Sequence, residues 1–327
     1  MNVLVMNPNA RRLKSYKKRD RIIELIRQSG QKFEIISVSG KQMMFNALKS
    51  ACQIQTVTQI YVAGGDGTFR DVMDWLIKQG MSRDIKLTYL GGGEFCYMRK
   101  FFHLPSSDPL KNLRKIFSGR LTPQQTRWRP IEVYDTKTQH RQYGSVFANG
   151  VVSDFLRWYE DKGKGNVLAV LWLLFSSVFC VLSERFRTWH GRLNITTGQI
   201  TLDDYKQETR PYISLVVGAV PELMMWCRPF SGQIQQPHQT SNIVYWGSFL
   251  RLACSIPFIY FGKTPPWLHK EYFNGSVEHT ILETVDVSIS IDGDRLEWPQ
   301  CDSTGRVVTE HRFEMKRGPD LQLITYV

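Results

Sequence analysis

Apolar and polar positions alternate in blocks along the first third of the chain. Asn2 to Met6 is a short apolar segment, a predicted strand, ending in the turn signal Asn7-Pro8-Asn9-Ala10. A basic helix follows, with Ile22, Ile23, Leu25 and Ile26 apolar and Ser29-Gly30 closing it. Lys32 to Val38 predicts a second strand, Lys41 to Ala51 a helix, and Gln59 to Val62 a third strand. After the next loop, Phe69, Val72, Met73, Leu76 and Ile77 repeat at the spacing of one face of an amphipathic helix. Lys86 to Leu90 is a fourth strand that runs straight into Gly91-Gly92-Gly93. This alternation with short connections predicts an α/β domain on a parallel, doubly wound sheet.

Around Thr122-Pro123 the pattern changes. Arg129 to Tyr134 and Tyr143 to Asn149 read as strands, then Val152 to Arg187 as a helical stretch. Arg192 to Thr197, Tyr212 to Ala219, Val285 to Ile291 and Val307 to Phe313 are again β-prone, with turn signals between most of them. They predict a second, mainly antiparallel β-sandwich domain. The expected division is 1–122 and 123–327, the last strands being free to return to the first domain. The one long apolar run, Val167 to Leu182, is roughly 16 residues against the ~20 that span a bilayer. Ser176 and Ser177 interrupt it. It reads as a buried helix, with a membrane-surface segment as the alternative.

At 327 residues the chain has room for two cores. Its formal net charge of +12 suits polyanionic partners: a nucleoside triphosphate, anionic lipid headgroups or nucleic acid. The six cysteines form no Cys-x-x-Cys pair, which argues against a zinc site or a disulfide framework and for a reducing, cytoplasmic setting. The opening segment does not read as a secretory signal, because its apolar run stops at Asn7-Pro8 and turns basic. Nucleic-acid binding gains support from charge alone, since no recognisable module is present.

The candidate chemistry gathers at two places. The first is Gly64-Gly65-Asp66-Gly67-Thr68, between a strand and a helix. Its glycines allow positive φ and close approach to the backbone, and the helix N-terminus favours an anion. Asp66 among phosphate-binding amides implies Mg²⁺ or an ordered water. The alternative is a tight turn with Asp66 or Thr68 as N-cap. In doubly wound sheets ligands sit at the carboxyl ends of the strands. Asn7, Ser39, Gly64–Thr68 and Gly91, Gly92 and Gly93 all lie at those ends. The run Arg11, Arg12, Lys14, Lys17, Lys18, Arg19 and Arg21 reads as a solvated helix face whose near end reaches phosphates or an anionic membrane. The second place is Asp292-Gly293-Asp294, where two acids flank a glycine after an alternating strand. A hairpin turn is the plain reading there.

Gly64-Gly65-Asp66-Gly67-Thr68 resembles the nucleotide loop of the lipid kinases that group diacylglycerol, sphingosine and ceramide kinases. NAD kinases and phosphofructokinases carry a similar loop, but nothing here resembles the Asn-Asn-Glu or Thr-Gly-Ser-Thr segments of NAD kinases. Asn7-Pro8, Phe147-Ala148-Asn149-Gly150 and Ile291-Asp292-Gly293-Asp294 resemble further lipid-kinase elements, in the same order. The resemblance implies ATP-dependent phosphorylation of a lipid hydroxyl in an interdomain cleft. On it Asp66 organises Mg²⁺-ATP, Asp292 is the base and Asp294 stands beside it as a second candidate. It also implies a lipid substrate met peripherally at an anionic membrane, without nucleic acid; a homodimer is compatible with it. Three departures mark the chain as divergent. Gly91-Gly92-Gly93-Glu94-Phe95-Cys96 stands where the family has Gly-Thr-Gly-Asn-Asp-Phe. Asn9-Ala10-Arg11 replaces a Gly-containing continuation. Arg228-Pro229-Phe230-Ser231-Gly232 lacks the aspartates of a structural metal site. The altered Gly91–Phe95 loop motivates the competing reading, a non-catalytic lipid- or nucleotide-binding protein on the same fold.

Overall fold

The computed structural model describes residues 1–94, 96–154, 196–203, 205–206, 210–223, 227–230, 236–247, 249–268 and 271–327. The helix expected from Val152 to Arg187 lies outside these residues, apart from a helical turn at 151–154, and so does most of the strand expected from Arg192 to Thr197. Phe95, Ser231 and Gly232 lie outside them too. Packing divides the chain into two units: Met1–Arg129 with Pro319–Val327, and Pro130–Gly318.

The first unit is built on strands β1 (Asn2–Met6), β2 (Phe33–Ser37), β3 (Gln59–Gly64) and β4 (Lys86–Gly92), all parallel, in the order β2-β1-β3-β4. Because side chains alternate along a strand, each strand feeds two cores. On one face Leu4, Met6, Tyr61, Ala63 and Leu90 meet Ile22 and Ile26 of α1 (Tyr16–Gln28), and Leu110 and Leu113 of α5 (Pro109–Phe117). On the other, Tyr89 meets Phe69 of α3 (Asp66–Lys78), ring to ring at 5.4 Å. Each such side chain contributes about 1.5–3 kcal/mol when fully buried. The remaining helices of the unit are α2 (Lys41–Ile54) and the short α4 (Met98–Phe101). Asp108 caps α5 through the Leu110 amide at 3.1 Å, with Pro109 at the first helical position.

Both glycine-bearing strands run further than their apolar residues do. Ala63 pairs with Gly91 and Gly64 with Gly92, after a register shift beyond Val62. Ladder pairing overrides the low strand propensity of glycine there. The C-terminal segment returns to this sheet as β19 (Leu321–Tyr326), parallel to β4 and antiparallel to β5 (Pro123–Trp128).

Among the described residues of the second unit every strand pairing is antiparallel, and the strands fall into two sheets. One has the path β10-β9-β15-β18-β6-β7, with β11 on β9, and the other the order β14-β13-β12-β8-β16-β17. In chain order these are β6 (Ile131–Asp135), β7 (His140–Gly144), β8 (Val146–Gly150), β9 (Thr196–Leu202), β10 (Tyr205–Lys206), β11 (Arg210–Tyr212), β12 (Ser214–Gly218), β13 (Thr240–Tyr245), β14 (Tyr272–Val277), β15 (His279–Thr284), β16 (Ile289–Ile291), β17 (Asp294–Arg295) and β18 (His311–Arg317). Helix α6 (Phe249–Tyr260) lies between β13 and β14. Phe147 of β8 faces Phe313 of β18 at 6.3 Å, so the sheets meet through aromatic side chains.

The strand expected from Tyr143 to Asn149 is two strands in different sheets. The chain changes sheets at Ser145, whose amide is taken by a carboxylate instead of a ladder partner. β16 is shorter than the expected Val285 to Ile291, because Asp286 accepts the Ser288 amide at 2.8 Å and turns the chain locally. Deep in this unit, Asp135 and His311 are 0% and 1% exposed. The Asp135 carboxylate accepts from Thr138 Oγ1 at 2.7 Å, Trp298 Nε1 at 3.0 Å and the Lys137 amide at 3.0 Å, and pairs with His311 Nδ1 at 2.7 Å.

Candidate active site

The strand order β2-β1-β3-β4 reverses its direction of growth between β1 and β3, which makes that gap the switch point of the sheet. Asn7 leaves β1 there. Its amide donates to Ala63 O at 3.0 Å, and its Nδ2 donates to Thr68 Oγ1 at 3.0 Å. Asn7 Oδ1 in turn accepts the Asn9 amide at 3.0 Å, shaping the turn. The Arg12 amide donates to Gly92 O at 2.9 Å, tying this loop to the end of β4. One predicted group is thereby assembled: Asn7, Gly64 to Thr68, and Gly91 to Gly93. Ser39 stands two residues past the end of β2, exposed, and makes no hydrogen bond among the described residues.

Positive φ occurs in the second loop and not in the first. Gly91 and Gly92 have φ of +81° and +135°, whereas Gly64 and Gly65 lie outside that region. The first loop needs glycine for closeness. A Cβ on Gly93 would stand 2.5 Å from Gly65 Cα, so the two loops touch backbone to backbone. Part of the glycine signal therefore records loop packing.

Gly65 is the N-cap of α3, in extended conformation, and no side chain caps the helix. The turn reading with Asp66 or Thr68 as N-cap is corrected on this point. The amides of Gly67 and Thr68 have no acceptor among the described residues. They sit at the positive end of a 13-residue helix, the arrangement that binds phosphate.

Asp66, at the first helical position, turns its carboxylate toward β4 and α4. Its Oδ1 accepts from Tyr89 Oη at 3.2 Å and from the Met98 amide at 3.3 Å, and its Oδ2 accepts from the Tyr97 amide at 3.2 Å. Burial, then the Asp66 charge, pushes the Tyr89 phenol well above its ordinary value. Burial and the same charge also raise the Cys96 thiol, so both stay protonated near neutral pH. Asp66 thus has a structural role that the loop sequence does not announce. Among the described residues no group of three or more His, Cys, Asp or Glu side chains is placed to hold a metal. Both Asp66 oxygens accept hydrogen bonds, so the carboxylate is anchored toward β4 and α4. Asp66→Ala is expected to cost about 2–3 kcal/mol, because charge-assisted bonds to α4 are lost. Urea unfolding measures it, and an unchanged midpoint would contradict the role. In the departing loop Glu94 pairs with Arg11 at 2.6 Å, an exposed pair worth less than about 1 kcal/mol.

Asp292 and Asp294 belong to the second unit. Asp292 and Gly293 link β16 to β17 with φ of +58° and +83°, a two-residue hairpin of the type that favours Asp-Gly. The hairpin reading is thus correct for the backbone. The side chain does more. Asp292 is 7% exposed, and its Oδ1 accepts the amides of Ser145 at 2.7 Å and Val146 at 2.9 Å. Those amides were not visible as partners, because they lie 146 or more residues away in sequence. Asp294 lies on β17, beyond the turn, and does not share a strand face with Asp292. Nearby, Asn149 is buried: its Nδ2 donates to Ser288 O at 3.0 Å, and its Oδ1 accepts from the Tyr212 hydroxyl.

Residues 2–126 match the diacylglycerol kinase catalytic domain family. No curated protein matches the chain in sequence. Among solved structures, a diacylglycerol kinase from Bacillus anthracis str. Sterne is similar at 14% identity and a TM-score of 0.61, covering 99% of this chain and 96% of that one. Two provisionally named diacylglycerol kinases of the same organism are similar over the same shares, at 13% and 14% identity and TM-scores of 0.66 and 0.63. At such identities the structures establish a common fold. Residues 2–126, with the Gly64–Thr68 loop among them, thus match a diacylglycerol kinase catalytic domain, and the chain shares its fold with those solved structures.

Proposed function

We propose that this protein transfers the γ-phosphoryl group of ATP to the hydroxyl of a lipid. The observation that carries the reading is the pair of amides, Gly67 and Thr68, without an acceptor among the described residues at the N-terminus of α3 beside the switch point. Asn7 fixes the Thr68 hydroxyl next to them at 3.0 Å. Phosphoryl transfer asks a protein mainly to position and to stabilise charge. Mg²⁺ bound with the nucleotide supplies neutralisation of phosphate charge.

On the acceptor side Asp292 takes the proton of the lipid hydroxyl. The lipid oxygen bonds to the γ-phosphorus, the bond from phosphorus to the bridging oxygen breaks, and ADP leaves with that electron pair. An ordinary carboxylate is a weak base for an alcohol, yet it serves late, once bond formation has made the proton acidic. Two backbone amides on Oδ1 fix the Asp292 carboxylate for that task.

Ligand linkage tests the nucleotide half. ATP at 100 times its Kd stabilises by about 2.7 kcal/mol, so Mg²⁺-ATP should raise the melting temperature while adenosine leaves it unchanged. Equal shifts with both would contradict a phosphate cradle. A second reading, a non-catalytic nucleotide or lipid binder, is favoured by the engagement of Asp66 with α4 and by the Arg11–Glu94 pair in the altered loop.

A further inference from the structure

Helix α6 has an unusual outer face. Its inner side is ordinary: Leu252 and Ile259 pack on the core of the second unit, and Ser255 is fully buried. The opposite side shows Arg251, Cys254 and Pro257 to solvent, with no acidic residue. A surface helix normally turns polar residues outward. Gly262, with φ of +70°, ends the helix: the Gly262 amide donates to Ile259 O at 3.0 Å and the Lys263 amide to Phe258 O at 2.9 Å. That closure sets Phe261 at the helix terminus with 69% of its surface exposed.

Trp267 comes back alongside. Its Nε1 donates to Ser255 Oγ at 3.1 Å, and its ring meets Phe258 edge-on at 5.0 Å, leaving the residue 44% exposed. Tyr260 meets Phe261 at 5.2 Å. Lys263 is exposed and forms no ion pair among the described residues. The nearby acid Glu271 is paired with Arg251 at 3.0 Å.

We propose that the C-terminal end of α6 docks on the surface of a lipid bilayer, with Phe261 and Trp267 entering the headgroup boundary and Lys263 meeting lipid phosphate. The inference rests on the lipid-kinase reading for its occupant. The chemistry agrees with it: exposed aromatic rings, the apolar Phe261 and the amphipathic Trp267, beside the Lys263 ammonium are what a membrane interface holds. The net charge of +12 adds attraction to an anionic leaflet. Among the described residues no helix is long and apolar enough to cross a membrane.

The test is co-sedimentation of the full chain with vesicles of phosphatidylcholine and phosphatidylserine, comparing wild type, Phe261→Ser and Phe261→Glu. Each variant is expected to bind about tenfold more weakly, from the lost apolar transfer, with melting temperature unchanged. The deficit should persist in high salt, where charge attraction is screened. Binding equal to wild type in both variants overturns the proposal. So does unchanged vesicle binding with loss of self-association, which would make the patch a contact between copies of the chain. Transfer assays separate this inference from the proposed reaction. Weakened vesicle binding in a protein that phosphorylates no lipid supports the docking surface and removes the kinase reading. Full transfer and full vesicle binding by Phe261→Ser and Phe261→Glu leaves the kinase and removes the surface.

Discussion

Asp292→Asn is expected to lower lipid phosphorylation by about 10²–10⁴-fold, the usual contribution of a general base. The substitution is unusually clean at this position. Asparagine keeps an oxygen for the Ser145 and Val146 amides, which Asp292 now accepts at 2.7 and 2.9 Å. It also tolerates the φ of +58° that the hairpin demands. Stability should therefore change little, and ATP and lipid binding should survive, because the lost interaction belongs to the transition state. Asp292→Ala is a poor substitute, since it strands two buried amides at about 1–3 kcal/mol each. Single-turnover transfer by wild type, Asp292→Asn and Asp294→Asn decides the matter. A silent Asp292→Asn beside a crippled Asp294→Asn would move the base along the hairpin. Two silent variants with transfer intact would reduce the hairpin to a turn.

Asp135→Asn is expected to cost about 3–5 kcal/mol of stability, the range seen when one partner of a buried charged pair is removed. Burial alone would raise the Asp135 carboxyl, but hydrogen bonds from His311 and Thr138, the Lys137 amide and the His311 charge together hold it below its ordinary value. A carboxylate lowered on folding contributes stability that is fully present above its unfolded value of ~3.9 and is lost as pH falls through the folded one. The gap between wild type and Asp135→Asn in urea unfolding should thus be widest near neutrality and narrow below about pH 4. A gap that stays constant from pH 7 to pH 3 would contradict the assignment.

How much of this was legible depended on range along the chain. The four parallel strands and helices α1, α2 and α3 could be read because each signal is local: alternation, a 3.6-residue period, glycines after an apolar run; α4 and α5 were not foreseen. The convergence of Asn7 with the Gly64–Thr68 and Gly91–Gly93 loops also followed, since topology places strand ends together whatever the side chains do. The second unit was harder. β13, β14 and β15 were not foreseen, nor was the break at Ser145, because their pairing partners are distant in sequence. The same limit hid the fates of both acids. Asp66 is met by the Tyr97 and Met98 amides, and Asp292 by those of Ser145 and Val146; backbone donors leave no residue-type signature in a sequence. The glycine loop shows the opposite case. Its composition was plain, but composition could not divide glycines needed for phosphate from those needed where Gly65 and Gly93 touch.

The central claim is that the chain moves a phosphoryl group to a lipid. Wild-type protein incubated with γ-labelled ATP, Mg²⁺ and vesicles carrying diacylglycerol, a sphingoid base or ceramide tests it directly. The account predicts label in the extracted lipid from at least one of these, falling by about 10²–10⁴-fold in Asp292→Asn. ATP bound by the protein, with no label in any lipid, would contradict it and leave a binder on the kinase fold.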